Sequence, residues 1–247
     1  MMTTSIIQTK NPIRNILAYG VHLFTATGAV WGFLTLLAIF HHDWHMAIVW
    51  IIVAMFVDGF DGMLARWVDV KTYATGIDGA LLDNIIDYLN YVVVAALFLV
   101  EAPNLLPYGF AIAGAISILL TSGYQFTQTD AKTDDHFFKG FPSYWNVLVL
   151  YMLLLKFHPW VNLTLLVFFN ILVFVPIKYL YPSRTLRLRR LTLILTYLYG
   201  AIGIWGLLQY PNSPQWVVWI SFTYVAYYLG LSVWPSKRSN SKIDDAD

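Results

Sequence analysis

The chain has 247 residues, of which 58% are hydrophobic and 12% charged, with a mean hydropathy of +0.61. Soluble domains carry roughly a quarter charged residues, so this composition excludes an ordinary soluble protein and indicates an integral membrane one. A net charge of +1 gives no electrostatic footing for nucleic acid, and zero cysteines exclude disulfides, thiolate metal sites and a cysteine nucleophile.

In chain order, a polar segment over residues 1–15 is followed by apolar runs near 16–40, 45–65, 77–100, 105–126, 144–158, 160–180, 191–209 and 215–234. All but the fifth, which is short, approach or exceed the roughly 20 residues needed to cross a bilayer. The first is too long for a signal-peptide core and reads as a retained span. The fifth turns into the sixth at Lys156–Trp160, and residues 236–247 form a polar tail. The expectation is an all-α polytopic protein with about eight transmembrane helices, a single domain over 16–235 and both termini cytoplasmic. The basic residues fix that orientation. Of the 15 Lys and Arg, all except Lys156 fall on segments that this count places inside. The 10 Trp and 16 Tyr suit belts at both lipid boundaries.

Four carboxylates interrupt this apolar sequence at helical spacing. Asp58 and Asp61 close the second run, and Asp83 and Asp87 open the third. Residues three, four, seven and eight apart share a helix face, so Asp58, Asp61, Gly62, Ala65 and Arg66 line one side of the second span. Gly79, Asp83 and Asp87 line the third, and the connection from Trp67 to Gly76 brings the two stripes face to face. Ionised carboxylates near hydrocarbon need compensation. One or two divalent cations supply it, and all-oxygen ligation suits Mg²⁺ or Mn²⁺. Gly62, Ala65 and Gly79 clear bulk where a diphosphate approaches the backbone, and Arg66 offers a cation for phosphate oxygens. Buried carboxylates would also serve a proton or cation transporter, but these lie toward the inner face with Gly, Ala and Arg around them, and no pair of broken helices accompanies them.

Asp58-x-x-Asp61-Gly62-x-x-Ala65-Arg66, followed by Gly79-x-x-x-Asp83-x-x-x-Asp87, resembles the signature of the CDP-alcohol phosphatidyltransferase family. Twelve residues, Trp67 to Asp78, separate the two halves, a longer gap than the family's usual one. That gap, with Leu-Leu-Asp83-Asn84-Ile-Ile-Asp87-Tyr88, resembles the bacterial phosphatidylcholine synthase branch. So do His22-Leu-Phe-Thr25-Ala-Thr-Gly28, the stretch from His136 to Asn146, and the stretch from Val175 to Thr185. The resemblance implies a helical membrane enzyme of the bacterial inner membrane with its site facing the cytoplasm. It implies CDP-diacylglycerol as donor and two divalent ions, Mn²⁺ or Mg²⁺, on Asp58, Asp61, Asp83 and Asp87. Asp87 is then the general base toward the acceptor alcohol. Thr25, Gly62, Ala65, Arg66, Thr72 and Gly79 are the expected donor contacts, and a homodimer among membrane lipids is the expected assembly.

The acceptor that the branch implies is choline, with serine, inositol or glycerol phosphate as the alternatives within the family. A quaternary ammonium has no hydrogen to donate, so aromatic faces are its natural receptors. Tyr88, Tyr91, Tyr144 and Trp145 are the candidates, and Arg184 is a candidate for a lipid phosphate. His22 and Thr25 sit together on the first span as further donor-side candidates. His41, His42 and His45 lie at the opposite membrane face from the carboxylates and read as a solvated loop. Asp130, Asp134 and Asp135 fall in an inner loop that could draw a cation toward the site.

Overall fold

The computed structural model describes residues 12–129, 137–180 and 189–240. Helix α1 (Pro12–Phe40) opens on a proline, whose missing N–H costs nothing in a first turn. A tight turn leads to α2 (Trp44–Val68), capped by Asp43, which accepts a hydrogen bond from the Met46 N–H at 3.0 Å. Asp69, at φ 59°, ends α2 in the left-handed conformation that short polar residues tolerate. The connection to the next span is partly helical: α3 (Val70–Tyr73) is a single turn, where a plain loop was expected. Helix α4 (Gly79–Asp87), a π-helical turn (Tyr88–Val93) and α5 (Val94–Glu101) then form one rod.

The remainder is α6 (Ala111–Thr127), α7 (Trp145–Leu155), α8 (Pro159–Phe174), α9 (Arg189–Leu208) and α10 (Gln215–Asn240). Two three-residue strands, β1 (Phe137–Lys139) and β2 (Lys178–Leu180), pair antiparallel with Phe137 opposite Leu180, a small addition to the helical architecture. Among the described residues, four helices are long and apolar enough to cross a membrane: Pro12–Phe40, Trp44–Val68, Gly79–Glu101 and Arg190–Leu208. Helix α7 has 11 residues, roughly 16 Å at 1.5 Å per residue, well short of a hydrocarbon layer. Lys156, at φ 49°, stops it.

The apolar surface faces outward. Ile16, Leu23, Leu120 and Phe33 are exposed, whereas Thr35, Asn146 and Asn162 are buried, the distribution expected when lipid is the solvent. This is a helical, multi-pass membrane protein. Lipid tails supply no hydrophobic drive between helices, so close packing and hydroxyl pairs join them. Tyr151 on α7 donates to Ser221 on α10 at 2.7 Å and lies 3.2 Å from the Tyr199 hydroxyl on α9. Thr192 and Thr196 of α9 pair with Tyr227 and Tyr224 of α10, both at 2.8 Å.

Close packing is evident between α1 and the α4–α5 rod. A Cβ on Gly28 would lie 2.5 Å from Ile86 Cγ2, and one on Gly32 would lie 2.5 Å from Asn90 Oδ1. These two glycines, one turn apart, form the groove that seats the carboxylate-bearing rod. Gly28→Val is therefore expected to destabilise the protein by about 1–3 kcal/mol, measured as thermal unfolding of purified protein in detergent.

Candidate active site

Two helix ends build the site. On α2, Asp58 and Asp61 lie two to three turns before the Asp69 stop. On α4, Asp78 fixes the start by accepting hydrogen bonds from the N–H groups of Ala80 and Leu81, both at 3.0 Å. Asp83 follows Gly79 by one turn and Asp87 by two. The structure brings Asp58, Asp83 and Asp87 together, with one carboxylate oxygen from each within 4.8 Å of the others.

Asp61 stands apart from that three-way cluster. It sits three residues after Asp58, a rotation of about 300°, and faces α1. It is the most buried of the four carboxylates, at 7% exposure. Its neighbours are the Thr25 hydroxyl, the Gly62 N–H, Asp83 and Asp58. The expected quartet thus has three carboxylates in one cluster and a fourth deeper beside Asp83.

Three carboxylates at this separation repel by about 3 kcal/mol per pair, even at an effective dielectric of 20. That sum rivals the whole stability of a typical domain, so the cluster calls for positive charge. The donor set is all oxygen and half-buried, which fits hard divalent cations such as Mg²⁺ or Mn²⁺ and not the sulfur and nitrogen ligands of structural zinc.

The donor-side candidates lie on the same helices and on the connection between them. Arg66 is exposed, and its Nη1 lies 3.3 Å from where a Gly62 Cβ would stand. The guanidinium therefore folds back one turn along α2, over the glycine, toward the carboxylates. Ala65 is half-buried and packs against the apolar cluster of Ala18, Val21, Val68, Val70 and Ala74. Gly79 packs against His22: a Cβ there would meet His22 Cε1 at 2.6 Å. His22 itself is 7% exposed, and its Nε2 has no hydrogen-bond partner. Thr72 lies half-buried in the α3 turn, its N–H bonded to the Asp69 carbonyl at 3.0 Å.

The aromatic candidates divide. The Tyr91 hydroxyl donates to Asp58, and its ring meets Tyr144 edge-on at 5.6 Å between centroids. Tyr144 is placed by a chain that enters α7 through Gly140 and Ser143, both at positive φ. Gly140 is obligatory there, because a Cβ would stand 2.4 Å from the Val173 carbonyl. Tyr88 instead donates to the Leu119 carbonyl at 2.9 Å and packs edge-on against Phe126 of α6. Trp145 is 1% exposed and donates to Ser122 at 2.7 Å. Buried Trp and Tyr need partners for their polar atoms, and these two find theirs in helix packing, not at an open face. Arg184, Asp130, Asp134 and Asp135 lie outside the described residues.

The sequence named Tyr91 for its ring but not for its hydroxyl, and it did not single out Asn90. The Tyr91 contact to Asp58 spans two helices and has no local signature. Asn90 had a signal, an amide in an apolar run; it is 6% exposed and donates to the Gly28 carbonyl at 3.1 Å.

The family model for CDP-alcohol phosphatidyltransferase matches residues 19–180, which include the whole cluster. A phosphatidylcholine synthase of Legionella pneumophila is 45% identical over 221 residues, covering 87% of each chain. Its namesake in Borreliella burgdorferi is 39% identical, covering 74% of this chain and 78% of its own. Another, in Pseudomonas aeruginosa, is 34% identical, covering 92% of this chain and 95% of its own. With the aspartate signature, the helical fold and these matches in agreement, the chain belongs to the CDP-alcohol phosphatidyltransferase family.

Proposed function

We propose that this protein is a phosphatidylcholine synthase, transferring the phosphatidyl group of CDP-diacylglycerol to choline and releasing CMP. The observation that carries the reading is the Asp58–Asp83–Asp87 cluster with Tyr91 and Tyr144 beside it, in a chain similar over most of its length to proteins of that name. The site faces the cytoplasm of a bacterial inner membrane, with about eight spans and both termini inside, where CDP-linked donors and divalent ions are available.

Asp58, Asp61, Asp83 and Asp87 would hold two Mn²⁺ or Mg²⁺ ions. Such ions, when bound, neutralise diphosphate oxygens and lower the pKa of an alcohol beside them. Arg66, lying over Gly62, balances charge on the donor's diphosphate, and Thr25, Ala65, Thr72 and Gly79 shape the nucleotide side. Asp87 takes the proton from the choline hydroxyl. The hydroxyl oxygen then bonds to the phosphorus bearing diacylglycerol. The bond from that phosphorus to the bridging oxygen breaks, and CMP leaves with that oxygen. Positioning and charge balance account for the catalysis, with no covalent enzyme intermediate needed.

The Tyr91–Tyr144 pair presents π faces beside a carboxylate, the chemistry that receives a quaternary ammonium. Loss of one such face costs about 0.5–2 kcal/mol. Tyr144→Ala is therefore expected to raise the KM for choline roughly 3- to 30-fold while that for CDP-diacylglycerol stays near wild type.

An acceptor screen tests the assignment. Purified protein with CDP-diacylglycerol and Mn²⁺ should release CMP with choline in preference to serine, inositol or glycerol phosphate. Release with serine or inositol and none with choline would keep the family and overturn the acceptor. No CMP with any alcohol would return the carboxylates to transport.

A further inference from the structure

The rod that carries Asp83 and Asp87 is not an uninterrupted α-helix. Directly after Asp87 the chain winds as a π-helix from Tyr88 to Val93, and the Val94 N–H bonds to the Leu89 carbonyl five residues back. Wider turns of this kind insert, in effect, one extra residue into the helix and are frequent at functional sites. Everything beyond the turn is rotated by about one residue's step, roughly 100°, relative to a continuous α-helix.

The two residues at the middle of this turn grip different helices. Asn90 donates its amide to the Gly28 carbonyl on α1 at 3.1 Å, and its Oδ1 lies over Gly32, where no side chain intervenes. Tyr91 donates to Asp58 on α2. The wide turn is thus pinned on one side to a helix that holds none of the clustered carboxylates, and on the other to one of those carboxylates.

We infer that Asn90 is a positioning residue for the acceptor side of the site. Its bond to Gly28 holds the π turn in the register that aims the Tyr91 hydroxyl at Asp58 and sets the Tyr91 ring against Tyr144. The donor residues Arg66, Gly62 and Gly79 all precede the turn in the chain, and the side-chain bonds of Asn90 and Tyr91 go to other residues, Gly28 and Asp58. The inference rests on the proposed reading only in calling this the acceptor side.

The test is a double-mutant cycle between Asn90→Leu and Tyr91→Phe, with KM measured separately for CDP-diacylglycerol and for whichever alcohol the wild type uses. Asn90→Leu should raise the acceptor KM roughly three- to tenfold, the size expected when one hydrogen bond is lost. The donor KM should stay within a factor of two of wild type. Its effect should be smaller in the Tyr91→Phe background, where the hydroxyl contact is already gone and only the placement of the ring remains to be lost. Gly32→Ala, which presses on Asn90 Oδ1 without altering Asn90, should give the same acceptor-selective change, and serves if Asn90→Leu does not fold. Equal rises in both KM values, or additive effects in the cycle, would mean that Asn90 only packs helices and would overturn the inference. A wild type that rejects choline but uses another alcohol would overturn the choline assignment and leave this test intact.

Discussion

Asp87→Asn is expected to lower CMP release by roughly 10²–10⁴-fold, the range for removal of a general base, while binding of CDP-diacylglycerol is retained. Asparagine keeps the shape and one oxygen but loses the charge and the basicity. Donor binding survives because the donor contacts, Arg66, Gly62 and Gly79, are untouched and Asp58, Asp61 and Asp83 keep their charge. The same variant removes two of the three mutual repulsions among Asp58, Asp83 and Asp87. In the presence of chelator it should therefore unfold at a higher temperature than wild type, by about 2–4 °C for each kcal/mol relieved. A dead enzyme that is more stable without metal is a pattern that simple misfolding does not produce. Unchanged turnover would take Asp87 out of the catalytic role.

Removal of divalent cations should have the second large effect. Exhaustive chelation is expected to reduce CMP release to background, with recovery on adding Mn²⁺ or Mg²⁺. It should also lower thermal stability, since a cation at 100 times its Kd contributes about 2.7 kcal/mol to a folded state that alone binds it. The structural cause is the cluster itself: three half-buried carboxylates with oxygens within 4.8 Å and a fourth, Asp61, buried beside them. Full activity after chelation would remove metal from the account. A stability loss without an activity loss would make the cluster purely structural.

The carboxylate stripes were legible because helical spacing is a property of the residue string. Asp58, Asp83 and Asp87 had only to be placed on facing helices to meet. Asp61 shows where that reasoning stops, since a rotation of about 300° from Asp58 turns it toward α1, and only the position of α1 decides what it meets. Thr25 turned out to be its neighbour. The long helices were readable from their apolar runs, and so was the short α7, which stops at the turn the sequence places at Lys156.

The π turn was illegible for a physical reason. Bonds from i to i−5 and from i to i−4 use the same backbone groups, so nothing in the side-chain pattern distinguishes them. The aromatics failed as a set for a different reason. Composition puts many rings near the inner face, but Tyr88 and Trp145 find hydrogen-bond partners on α6, and only packing decides which rings stay beside Asp58. The paired strands Phe137–Lys139 and Lys178–Leu180 are too short to leave a period and are joined across two intervening helices.

Phosphatidyl transfer to choline is tested most directly by product stoichiometry. Purified protein is supplied with Mn²⁺, CDP-diacylglycerol and isotopically labelled choline, and both products are counted. The account predicts equimolar CMP and labelled phosphatidylcholine, neither formed when choline is omitted. CMP released at the same rate without choline, or no labelled lipid while CMP accumulates, would contradict it.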